Sequence, residues 1–165
     1  MPVATSRGRT MFAMLVARIV LGAVWIVAGL IKLPDPAGSV RAVRAFQLLP
    51  EAVVPAVGYG LPLLEVALGV LLVLGVAVRS GAILSALLLG AFLIGVSSAW
   101  ARGLSIDCGC FGGGGAVASD QTRYGTEVLR DGALLVVAAV LIRWPASRFA
   151  LVPHKAAPEL VPNEG

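Results

Sequence analysis

The chain has 165 residues, of which 58% are hydrophobic and only 13% charged, and its mean hydropathy is +0.93. Those values exclude an ordinary water-soluble domain and make the lipid bilayer the expected medium. At this length there is room for four or five membrane helices in one domain, and no nucleic-acid partner is expected.

Four apolar runs can cross about 30 Å of hydrocarbon at 1.5 Å per residue. They cover about residues 11–33, 53–78, 80–100 and 126–144, with charges concentrated between them. Backbone polar groups in hydrocarbon must be satisfied within each span, so the pattern predicts an all-α integral membrane four-helix bundle over residues 11–144. Residues 1–10 precede it as a cytoplasmic N-terminus. Residues 145–165, with four prolines and the only histidine, His154, read as a loosely ordered tail.

Arg7 and Arg9 ahead of the first run suggest a secretory signal. The run is longer than such a signal needs, Arg18 interrupts it, and no small-x-small cleavage site follows, so it reads as a retained helix. Between the first two runs, Asp35 lies between Pro34 and Pro36 in a predicted turn. Val40, Val43, Phe46 and Leu49 then recur at helical spacing, with Arg41, Arg44 and Gln47 at other positions. This predicts a short interfacial helix covering the bundle end, with a substrate lid as the alternative.

In the second run Pro62 removes a backbone donor one turn before Glu65, which predicts a kink beside a carboxylate. Gly69, Gly75, Gly81, Gly90 and Gly95 read as close-contact points between helices. Arg18 and Glu65 are charges inside the spans, each costing about 2.5–3.5 kcal/mol or more unless it finds a partner. Their depths, about 10 Å from the inner end for Arg18 and about 18 Å from the outer end for Glu65, sum to roughly one hydrocarbon thickness. In antiparallel neighbours they are expected to pair, either fixing helix register or serving a proton or quinone path.

The stretch "SIDCGCFGGGG", Ser105 to Gly115, holds both cysteines. A bridge between Cys108 and Cys110 closes a very small, strained ring, which favours an exchange-prone redox pair over a staple. Inert packed thiols are an alternative, as is a metal site of Cys108, Cys110 and Asp107, although that set falls short of the four ligands zinc prefers. No metal is expected. The glycines lack the lysine that follows in a phosphate loop and read as a source of flexibility. Lysines and arginines tie between the two sides of the membrane. The leading arginines and the acids of the outer loops, Asp35, Glu51, Asp107, Asp120, Glu127 and Asp131, favour cytoplasmic N- and C-termini in a multi-pass cell-membrane protein. That puts the cysteines on the oxidising side.

Three stretches, "RIVLGAVWIVAGLIKLPDP", "LPLLEVALGVLLVLG" and "IDCGCFG", together resemble the DoxX-like membrane proteins, and more closely their MauE (methylamine utilisation) branch. The resemblance covers roughly residues 17–144 and rests on Arg18, Gly22, Gly29, Lys32, Pro62, Glu65, Cys108, Cys110 and Arg130 in that order. It implies a four-helix membrane protein in extracytoplasmic thiol and disulfide traffic, beside a thioredoxin-like partner. Cys108 and Cys110 are then the exchanging thiols and Arg18, Lys32, Glu65 and Arg130 the supporting polar groups. No cofactor motif is present; a membrane quinone is the acceptor that would complete the circuit. The rival reading is a non-enzymatic anchor of a redox or detoxifying complex. Transport is disfavoured by the lack of an inverted repeat, and a homo-oligomer stays open.

Overall fold

The computed structural model describes residues 3–107, 115–116 and 122–144. Five helices run in chain order: α1 (Val3–Lys32), α2 (Pro36–Ala45), α3 (Val54–Leu74), α4 (Val78–Ala101) and α5 (Tyr124–Arg143). Two short strands, β1 (Ile106–Asp107) and β2 (Gly115–Ala116), lie between α4 and α5. Three segments, Gly8–Lys32, Val54–Leu74 and Val78–Ala101, are long and apolar enough to cross a membrane. The expected fourth run forms α5, but Glu127, Arg130 and Asp131 crowd its first two turns and keep it outside that group.

Two helix boundaries differ from the sequence expectation. α1 begins at Val3, well before Met11. α3 stops at Leu74, short of Val78, because Gly75 takes a left-handed conformation with φ 75° and its N–H donates back to Leu71 and Leu72. That geometry is nearly free for glycine and ends a helix by satisfying its last carbonyls. Ala77 follows at φ 48°, and α4 starts on the next residue. Pro62 lies within the uninterrupted span of α3.

A helix forms between the first two runs, as expected. The Asp35 carboxylate accepts a hydrogen bond from the Gly38 N–H at 2.8 Å, and Pro36 occupies the first turn. α2 buries Gly38, Ser39, Val40 and Ala42. It lies so close to α3 that a Cβ on Gly58 would stand 2.6 Å from the Val40 Cα.

α1 packs antiparallel along α3 and α4 along α5; α5 returns to α1, while α3 and α4 touch lightly. The α1–α3 approach is set by small residues. A Cβ on Gly69 would meet the Gly22 carbonyl at 2.5 Å, and one on Gly29 the Pro62 carbonyl at 2.6 Å. Gly81 and Gly95 also touch neighbours, Leu72 and Phe46, but a Cβ on Gly90 meets nothing within 4 Å, so that glycine is not the contact point expected. The main core joins Leu21 and Trp25 of α1, Leu68 and Leu72 of α3, Ala82 and Leu89 of α4, and Ala138 and Leu141 of α5.

A second cluster closes the end where α4 finishes and α5 begins. Val96, Ala99, Ile106 and Tyr124 are buried together there, with Phe46 and Leu104 packed against them. The two strands pair antiparallel, Ile106 opposite Ala116 and Asp107 opposite Gly115, and β2 contacts α2. The Tyr124 hydroxyl donates to the Leu104 carbonyl and accepts from the Ile106 N–H at 3.1 Å, fastening α5 to the strand. The Trp100 ring stacks on the same tyrosine, and the Arg102 guanidinium donates to the Phe46 carbonyl. Helix and strand ends so joined make a cap.

Candidate functional site

Glu65 is fully buried on α3, and Lys32 Nζ at the end of α1 donates to its Oε1 at 2.6 Å. Register and side-chain direction together explain why these two meet. A Cβ on Gly69 would fall between Gly22 and Ile26, and one on Gly22 between Gly69 and Val73, so Glu65 stands level with Ala28. Lys32 is one turn beyond Ala28. Helical side chains lean toward their own N-terminus, so in an antiparallel pair Lys32 leans inward and Glu65 leans toward it.

The expected pairing of Glu65 with Arg18 is corrected by this geometry. Arg18 is buried, with 2% exposure, but lies ten residues before Ala28, which at 1.5 Å per residue is about 15 Å along the axis. It leans the other way, toward the opposite end of the bundle. Depths counted from the ends of apolar runs failed because those ends do not lie at common levels: α1 starts before its run, and glycine contacts set a register in which the start of α3 overhangs the end of α1.

A second carboxylate joins the site from α5. Asp131 is 3% exposed, and its Oδ1 accepts from the Arg130 Nε at 2.9 Å. Glu65 and Asp131 both line a cavity of about 20 Å³, with Trp25, Ala28, Leu89 and Phe92 among its walls. The Trp25 indole N–H donates to the Ser85 hydroxyl at 2.9 Å, and Lys32 Nζ stands 5.9 Å from the centre of the Phe92 ring. Two buried oxygens at this place, Glu65 Oε2 and Asp131 Oδ2, have no hydrogen-bond partner among the described residues.

Of the residues singled out in the sequence, Lys32 and Glu65 come together, Arg130 joins them through Asp131, and Arg18 stands apart. Cys108 and Cys110 lie outside the described residues; the ladder brackets them at Asp107 and Gly115. Asp131 was read as an outer-loop acid, and the structure buries it. Its signal was available, since it falls within the fourth apolar run, where the cost of a charge marks a residue with a task. Trp25, Ser85 and Phe92 gave no signal of their own. Among the described residues no group of three or more His, Cys, Asp or Glu is placed to hold a metal ion.

The family model for the methylamine utilisation protein MauE matches residues 10–143. The chain belongs to the MauE family. The match runs from α1 to the end of α5, a range that includes the cysteine segment and the carboxylate site. Together with the three apolar helices it identifies a MauE-family membrane protein. Searches of curated proteins and of solved structures found no match.

Proposed function

We propose that this MauE-family protein supports thiol–disulfide exchange outside the cytoplasm through Cys108 and Cys110, with a thioredoxin-like protein as its partner. α1, α3, α4 and α5 are then the four spans, α2 lies along the outer interface, and both termini are cytoplasmic. The observation that carries the reading is the ladder. Pairing of Asp107 with Gly115 holds together the two ends of the seven-residue segment 108–114, and β2 docks that base on α2. A cysteine pair presented from a fastened base can meet a second protein without rearranging the helices.

In the exchange, one cysteine thiolate attacks the partner's disulfide, forms a mixed disulfide and releases one partner thiolate. The second cysteine attacks the mixed disulfide and releases the other. The pair is oxidised by two electrons and the partner reduced by the same two; the reverse direction follows the same steps. Repeated turnover needs a further electron acceptor or donor, and a membrane quinone is the one a chain in lipid can reach.

Single Cys108→Ser and Cys110→Ser variants of the full chain test this. In cells, one of them is expected to accumulate a mixed disulfide with an extracytoplasmic protein, seen as a reductant-sensitive band, and the double variant none. A double variant that keeps the protein's complexes and its biological output, with no adduct from either single variant, establishes the anchor reading instead.

A further inference from the structure

We propose that the cavity between Glu65 and Asp131 binds one water molecule that bridges the two carboxylates, and that the bridged pair takes up a proton as a unit. This goes beyond the thiol reading and does not depend on it. The cavity volume of about 20 Å³ suits a single water, since one water needs roughly 10–15 Å³ or more by this measure. The buried Glu65 Oε2 and Asp131 Oδ2 are acceptors without a hydrogen-bond partner among the described residues. The walls cannot supply a donor: Ala28, Leu89 and Phe92 have none, and the Trp25 N–H is committed to Ser85. A water has two protons to give, one for each oxygen.

The surrounding charges favour a neutral ligand together with a proton. α1 contributes Lys32, α3 contributes Glu65, and α5 contributes Glu127, Arg130 and Asp131, while α4 lines the cavity with Leu89 and Phe92 alone and Arg18 lies about 15 Å away along the axis. Two cations and three anions leave one negative charge in excess, which one proton cancels and a divalent metal ion or an anionic metabolite would not. Water leaves that balance unchanged. When a proton reaches one carboxyl, the bridging water can carry its hydrogen bond to the other. The balance for the site is one proton gained from solution, with no bond broken in the protein.

The test is infrared difference spectroscopy on the full chain in lipid nanodiscs, comparing acid with neutral pH. Beyond the bands of the exposed carboxyls that acid also protonates, the wild type should show one further carboxyl C=O band that shifts in deuterated water. Because the proton is shared, Glu65→Gln and Asp131→Asn should each remove or shift that same band. A band that survives either change in place overturns the proposal. Ala28→Val fills the cavity and leaves both carboxylates in place, which covers the case in which the polar variants do not fold. The wild type should then show an O–H stretch that moves in heavy-oxygen water, and Ala28→Val should lose it. Absence of that band from the wild type, or its persistence in Ala28→Val, also overturns the proposal.

Discussion

Lys32 and Glu65 meet because two side chains on antiparallel helices lean toward each other, and the ammonium is what keeps a carboxylate at 0% exposure tolerable. Removing one partner of a buried pair strands the other charge, at a cost of about 3–5 kcal/mol. Lys32→Met should lower stability by about that much in detergent unfolding, and adding Glu65→Leu should recover much of the loss. Arg18 behaves differently. Lying about 15 Å along the axis from Glu65, Arg18→Leu should add to Glu65→Leu within about 0.5 kcal/mol. A larger coupling in that double-mutant cycle would restore the pairing that the sequence suggested. The charges themselves were legible because charge in an apolar run is costly. Their partners were not, since partnership depends on register, and register was set by Gly22, Gly29 and Gly69.

At the scale of elements, the apolar runs fixed the long helices well and their ends less well. The Pro34-Asp35-Pro36 turn and the helix after it were readable, because a capping carboxylate and a first-turn proline are local signals. The end of α3 at Gly75 was missed because an apolar glycine-rich run does not reveal which glycine turns left-handed. The ladder was missed for a related reason: a two-residue strand has no periodicity to detect. Glycines that look alike in sequence should also respond differently to substitution. Gly69→Leu forces atoms into the α1 backbone and should cost about 1–3 kcal/mol, as overpacking generally does. Gly90→Ala meets open space and should be neutral or up to about 1 kcal/mol more stable, from helix propensity. Thermal unfolding of the two variants in one detergent checks both.

The molecule as a whole is held by different forces at its cap and in its bundle. The bundle is apolar packing around the buried carboxylates Glu65, Glu127 and Asp131, while the cap also uses exposed ion pairs, Arg41 with Asp35 and Arg44 with Glu51. Hydrogen bonds from Arg44, aided by its charge, hold the Glu51 carboxyl below the usual carboxylate range. A depressed carboxylate contributes stability that is complete above its unfolded value and is lost as the pH falls through the folded one. Amide protection of residues 36–53 should therefore decline below about pH 4.5, while α3 keeps its protection at the same pH. Arg44→Gln should flatten that dependence, and added salt should weaken it, because both partners are exposed. Protection in the variant that still falls over the same range would show that another group is responsible.

The light contact between α3 and α4 also bears on how force passes through the protein. Helices adjacent in sequence share little surface, so the turn at Gly75 and Ala77 links two antiparallel pairs, α1 with α3 and α4 with α5, across a thin seam. The cavity lies on that seam, with Glu65 contributed by one pair and Asp131 by the other. Packed pairs move most readily as units that slide past each other. Any sliding of the pairs would change the separation of the two carboxylates, so bilayer composition is expected to register at the site itself.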